Sequence, residues 1–262
     1  MEESLYITNK KDLCFWEEKY RRLYYGNEFC SHLMPVPGEL EEILNFAEGK
    51  NTGFSLVTGY AAEGDLQKYE ALFKILEKRR PDSEVVINDW GILELCRDFP
   101  MQRLLGRLLS KQKKCMRILD IVGKLPPRAA RHFQEISLNE NFIGFLMRNG
   151  IKRVEMDNSL QGYRITAAGD LSFSLYMPYA YLTTTRLCPS NICNQEKGAG
   201  LRIPLSCKRT CRSAECLRLY SAQMPVDLLL KGNTVFYESG KVNLLYPNRQ
   251  LDRIVFQPVI PL

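Results

Sequence analysis

Thiols are the residues in this sequence with the most chemistry to offer. The chain has nine cysteines, and five of them fall in one short stretch, Cys188-x4-Cys193-x13-Cys207-x3-Cys211-x4-Cys216. Thiolates are soft ligands that suit zinc or an iron–sulfur cluster. Structural zinc prefers paired knuckles, for which Cys207-x3-Cys211 is the candidate. The wide, unequal gaps suit a 4Fe–4S cluster better, because its four thiolates can arrive from separated loops. Arg186, Lys208, Arg209, Arg212 and Arg218 interleave the thiols. Positive neighbours favour the thiolate and offset the negative charge of a thiolate-bound cluster. An odd cysteine count argues against a disulfide framework. Cys14, Cys96 and Cys115 sit beside Leu and Met residues and read as packing residues.

The elements that must position these thiols follow from patterning. Apolar runs at residues 4–8, 22–29, 53–58, 84–88, 102–109, 153–156, 171–176 and 252–257 read as strands. Segments 11–19, 37–48, 65–80, 90–97 and 139–149 read as helices. Leu40, Ile43, Leu44 and Ala47 recur at helical spacing, and Pro37 with Glu39, Glu41 and Glu42 suits a helix start. This alternation predicts a mostly parallel sheet. Eight strands in 262 residues favour an α/β fold of the TIM-like (β/α) barrel type, with a doubly wound sheet as the alternative. No G-x-G-x-x-G follows the first strand, and neither H-E-x-x-H nor G-x-S-x-G occurs. Residues 1–262 are expected to form a single barrel-like domain. Residues 186–245 form a Cys-rich segment and hairpin inserted after about the seventh strand. The hairpin is expected to pair 225–237 with 241–245 through a turn at Glu238-Ser239-Gly240. Residues 111–131 are basic and rich in turn formers, and read as a loop or partly ordered insertion.

The net charge of +6 and pI near 8.8 permit an anionic partner without requiring one. Lys111-Gln112-Lys113-Lys114 with Arg117 reads as a solvated face or a contact for RNA phosphate. No run approaches the roughly 20 apolar residues of a membrane span. The first residues lack a basic and then apolar leader, so a cytoplasmic protein is expected.

Several stretches fall in a familiar order. They are Leu23-Tyr-Tyr-Gly-Asn-Glu-Phe-Cys-Ser31, Val86-Ile-Asn-Asp-Trp-Gly-Ile-Leu93, Leu105-Gly-Arg-Leu-Leu109, Ile151-Lys-Arg-Val-Glu-Met156, Met177-Pro-Tyr-Ala180, Thr185-Arg-Leu-Cys-Pro189 and the Cys207–Cys211 pair. Together they resemble the collagenase-like peptidase family U-thirty-two, and within it the small UbiV-like members. The resemblance implies a barrel fold and, in characterised members, a 4Fe–4S cluster. It further implies oxygen-independent hydroxylation, of RNA bases in some members and of a quinone ring in the UbiU–UbiV pair, and a second family subunit forming a heterodimer. The family's alternatives are a peptidase or a non-catalytic iron–sulfur partner. Cys30 stands where UbiV-like proteins carry a cluster cysteine. Cys193 and Cys216 are additional to their set, so the fourth ligand stays open between Cys30, Cys193 and Cys216.

Barrel geometry then says where chemistry belongs. Side chains at the C-terminal strand ends share one mouth, which gathers Glu28, Cys30, Tyr60, Asn88, Asp89, Arg107, Glu155, Asp157 and Tyr179. Arg107 is the candidate grip for an anionic substrate group. Asp89 and Glu155 are the candidate proton acceptors.

Overall fold

The computed structural model describes residues 1–136, 138–166, 169–192 and 207–262. Eight parallel strands close into a barrel: β1 (Glu2–Ile7), β2 (Arg22–Gly26), β3 (Gly53–Val57), β4 (Glu84–Ile87), β5 (Gln102–Leu105), β6 (Ile151–Asp157), β7 (Ser172–Met177) and the last strand of the chain, β12 (Leu251–Phe256). The last strand closes the ring by pairing with both β1 and β7. The fold is thus a TIM-like barrel, as the alternation of elements implied. Helices α1 (Pro37–Gly49), α2 (Glu63–Arg79), α3 (Trp90–Cys96) and α6 (Glu140–Arg148) pack outside it.

Strand alternation divides the side chains cleanly. Leu5, Leu23, Phe54, Leu56, Val85, Ile87, Val154 and Phe173 face outward and join the helices in the main core. Tyr6, Tyr24, Val57, Val86, Leu104, Tyr176 and Val255 face inward. Below them the barrel interior is ionic. Glu84 accepts from both guanidinium nitrogens of Arg253 at 2.8 and 3.1 Å and from the Ser55 hydroxyl at 2.7 Å. Arg22 bonds Glu2 at 3.1 Å. Buried charges persist where opposite charges and hydrogen bonds compensate them, and this floor supplies both.

Between the seventh and eighth barrel strands the chain leaves the ring. It builds a second, antiparallel sheet in the order β8 (Tyr179–Thr184), β11 (Thr234–Glu238), β10 (Leu228–Lys231), β9 (Leu217–Leu219). Short helix α7 (Pro189–Ile192) follows β8. The hairpin differs from expectation. Its partners are β10 and β11, joined at Gly232-Asn233, and residues 241–245 contribute only an isolated bridge from Leu244 to Tyr163. The dipeptide Gly-Asn is itself a two-residue hairpin signal, and Gly232 takes the positive φ of 58° that the turn needs.

One further expectation is corrected. The fifth strand ends at Leu105 rather than at 109, because Gly106–Ser110 turns back on itself with Leu109 and Ser110 both donating to the Gly106 carbonyl. The basic segment 111–131 takes the second of its two expected forms, a partly ordered insertion rather than a loop. It carries a 3-10 turn (Met116–Ile118), α4 (Leu119–Val122) and the start of α5 (Pro127–Gln134). Buried Met116 and Ile118 anchor it.

Candidate metal centre

Cys30 lies just beyond β2. The Asn27 side-chain oxygen accepts from the N–H groups of Phe29 and Cys30 at 3.0 and 2.9 Å, which turns the chain over the barrel rim. Cys188 lies between β8 and α7. Cys207 and Cys211 flank Arg209, whose left-handed backbone (φ 54°) bends the segment. The Cys207 sulfur accepts from the Arg209 N–H at 3.3 Å. These four thiols line one cavity of about 270 Å³, together with Ser31, Tyr60, Arg186, Gly232, Asn233 and Leu262 among others.

Of the expected ligands, the structure therefore gathers Cys30, Cys188, Cys207 and Cys211. Cys193 lies outside the described residues, and Cys216 does not line this cavity. Among the described residues no group of three or more His, Cys, Asp or Glu is arranged for a single metal ion. The thiols stand around a space instead. Burial, and then the neighbouring Cys211, Cys207 and Cys188, push the Cys30 thiol up to about 11. Burial and the same mutual repulsion, from Cys188 and Cys207, push Cys211 up. Cys30 and Cys211 thus hold their protons until a cationic centre replaces them, and metal binding would release those protons. In donor type and number the residues present fit a thiolate-bound cluster.

One side chain holds the cavity wall together. The Asn233 amide nitrogen donates to the Phe29 carbonyl and the Thr185 carbonyl, both at 2.7 Å, and lies 3.0 Å from the Tyr60 hydroxyl. It thus ties the Cys30 loop, the β3 loop and the approach to Cys188. Gly232 next to it allows the hairpin turn to lie against Cys211: a Cβ there would sit 3.4 Å from the Cys211 Cβ and 2.9 Å from Leu262. Neither residue was singled out by sequence reasoning, although the Gly-Asn turn signal was available. Arg186, 5.2 Å from the Tyr60 ring, brings a positive charge to the rim.

The residues expected to do acid–base and anion chemistry occupy other surroundings. Asp89 caps α3, accepting from the Gly91 N–H at 2.7 Å. Arg107 is clasped by carboxylates of its own chain. It bonds Glu28 and, at 2.7 Å, Asp157, and Lys114 bonds the other Asp157 oxygen. The Arg107, Glu28 and Asp157 side chains are 0% exposed and that of Lys114 4%. Arg107 also donates to the Tyr179 carbonyl at 3.3 Å, and the Tyr181 hydroxyl donates to the Arg107 carbonyl at 3.0 Å. The second sheet is thereby fastened across the barrel mouth. Burial pulls the Lys114 ammonium down to about 8, with Asp157 opposing it. Phe29 stands between this quartet and the cysteine cavity, its ring 5.5 Å from the Arg107 guanidinium.

Glu155 points into the barrel interior. One of its oxygens accepts from the Tyr24 hydroxyl at 3.4 Å, and the other has no partner. Burial pushes its carboxyl up to about 7 against the opposing charges of Arg253 and Arg153. None of Asp89, Arg107 and Glu155 lines the cysteine cavity.

No protein-family model matches this chain, and no curated protein matches it. Among solved structures, the chain is similar to the U32 peptidase Mk0906, over 99% of this chain and 93% of that one, at 10% identity and a TM-score of 0.47. It is also similar to a GH18 chitinase from Cycas revoluta, over 98% and 94%, at 10% identity and a TM-score of 0.38.

Proposed function

We propose that this chain is a 4Fe–4S protein in which Cys30, Cys188, Cys207 and Cys211 hold the cluster. The observation that carries the reading is the convergence of these four thiols, from the β2 loop, the end of β8 and the inserted segment, on one cavity of about 270 Å³. A polynuclear cluster spaces its ligands more widely than a single ion does, which suits thiols ranged along a cavity wall. When bound, the cluster would supply one-electron transfer at a potential set by its surroundings.

The chain's own residues set those surroundings. Arg186 and the half-buried Tyr60 border the cavity, and Asn233 fixes the two loops that carry Cys30 and Cys188. A second cavity of about 510 Å³ shares Ser31, His32, Lys68 and Cys207 with the first and extends to Met34, Pro35, Val36 and Ala71. It offers a reaction partner an approach to the cluster from outside the barrel. The mouth itself is filled by the Arg107 quartet and its roof.

The finer reading is a hydroxylase subunit of the UbiV-like kind, acting with a second family protein. It rests on the motif order Leu23–Ser31, Val86–Leu93 and Thr185–Pro189. Purification without oxygen tests the coarser reading. A brown protein with a visible charge-transfer band and matching iron and sulfide supports it; a colourless protein that stays metal-free after reconstitution with iron and sulfide, or holds only zinc, ends it. Activity measured with and without a second family subunit then separates a hydroxylase from an electron-relaying partner.

A further inference from the structure

The formal charge of the whole chain is +6. Residues 111–131 carry seven cations (Lys111, Lys113, Lys114, Arg117, Lys124, Arg128 and Arg131) against one acid, Asp120, and so account for a formal +6 alone. Everything outside this excursion between β5 and β6 is balanced. Lys114 is spent inside, on Asp157. Lys111, Arg117, Lys124, Arg128 and Arg131 are exposed, and among the described residues none of these five forms an ion pair.

An apolar tip stands among these cations. Ile121, in α4 between Arg117 and Lys124, is 48% exposed, and Val122 and Leu125 beside it are half-buried. The core beneath is served by Met116 and Ile118. An exposed isoleucine flanked by uncompensated cations has little to offer a phosphodiester backbone, which rewards cations and polar donors. It suits a lipid surface, where anionic headgroups attract the cations and the apolar tip enters the acyl boundary.

We infer that the 111–131 excursion is a peripheral membrane contact that recognises anionic phospholipid headgroups. No helix among the described residues is long and apolar enough to cross a membrane, so the contact is with the surface. α4 and α5 are short and are separated by Gly123 and Pro126-Pro127. The tip therefore enters as a protrusion rather than as a long interfacial helix. This inference stands independently of the cluster.

The test is co-sedimentation of the full chain with vesicles of phosphatidylcholine alone and of phosphatidylcholine with phosphatidylglycerol, at low and high salt. Binding is expected only to the mixed vesicles, and it should fall as salt screens the attraction. Neutralising one exposed cation, as in Arg128→Gln, should weaken binding about fivefold. Ile121→Ser should weaken it roughly tenfold, by removing the inserted apolar group, with no change in the far-UV circular dichroism. All these substitutions sit on exposed positions, so loss of fold does not confuse the result. Equal binding to both vesicle types, no binding to either, or vesicle affinity untouched by Ile121→Ser overturns the inference. So does capture of a single-stranded oligonucleotide through Arg128 and Arg131 with no vesicle binding, which would make the surface one for nucleic acid.

Discussion

Asn233 and Phe29 stand 204 residues apart in sequence, yet the amide of the first donates to the carbonyl of the second at 2.7 Å. Through that bond and its twin to Thr185, the hairpin of the inserted sheet reaches down to the barrel rim and sets the loops that carry Cys30 and Cys188. Replacing Asn233 by Ala would leave the Phe29 carbonyl without its donor and the Thr185 carbonyl with only the Tyr60 hydroxyl, at 3.4 Å. The expected cost is about 2–3 kcal/mol, read as a shift in urea midpoint at unchanged slope, together with a lower iron content per chain. Unchanged stability and unchanged iron would mean that the clasp positions nothing.

Gly232 should tolerate substitution poorly. Its φ of 58° costs an L side chain roughly 1–2 kcal/mol, and a Cβ would press on Leu262 beside Cys211. Gly232→Ala is expected to lower the melting temperature and reduce the yield of cluster-loaded protein. Gly123→Ala, at a negative φ of −69° and with nothing within 4 Å of the added carbon, is the control that should change neither.

Arg107 is expected to matter for stability first. Its guanidinium answers two buried carboxylates, Glu28 and Asp157. Removing one member of a buried charge network typically costs about 3–5 kcal/mol, because the partners stay buried and uncompensated. Arg107→Met should therefore unfold at markedly lower denaturant, and Arg107→Lys should recover only part of the loss. A variant as stable as the parent would show that the carboxylates are not charged there, and would return Arg107 to candidacy as a substrate grip.

Glu155 gives a pH signature whose sign is fixed. Its folded carboxyl is pushed up to about 7 from an ordinary value of 4.5. The folded state therefore holds a proton that the unfolded state has released between those values. Stability must fall as pH rises from about 4.5 to about 7 on account of this group, and the penalty is fully present above that window. Glu155→Gln removes it. The variant should be more stable at pH 8, by at most about 3 kcal/mol, and its stability should vary less across the window. A less stable variant at pH 8 would mean that the carboxylate is ionised and well partnered.

The barrel was legible because its outward strand faces are apolar and its helices obey their own period. Val85 and Ile87 alternate with inward Glu84 and Val86, and the stretch reads as a strand whichever way it faces. The lid was not. Strand β8 follows β7 after a single residue, Pro178, so no turn-rich break separates two strands that belong to different sheets. The barrel floor was also hidden. Glu84 and Arg253 look like surface charges in one dimension and become interior ones only when their partners, far away in sequence, close on them; Glu155, expected at the mouth, lies in the interior beside Tyr24. The five clustered thiols pointed to a shared site, and Cys188, Cys207 and Cys211 do line one cavity, whereas Cys193 lies outside the described residues and Cys216 is not among the lining residues. Cys30 needed both the family resemblance and the rule that strand ends share a mouth. Asp89 and Arg107 were correctly placed at strand ends, but their polar groups meet backbone and carboxylates of the same chain.

Metal analysis of single cysteine variants purified without oxygen tests the four-thiol site most directly. The parent should hold about four irons and four sulfides per chain. Cys30→Ala, Cys188→Ala, Cys207→Ala and Cys211→Ala should each lose most of that content and the visible band, while Cys14→Ala and Cys216→Ala keep both. Full iron in Cys30→Ala with loss in Cys216→Ala, or zinc in place of iron throughout, would contradict it.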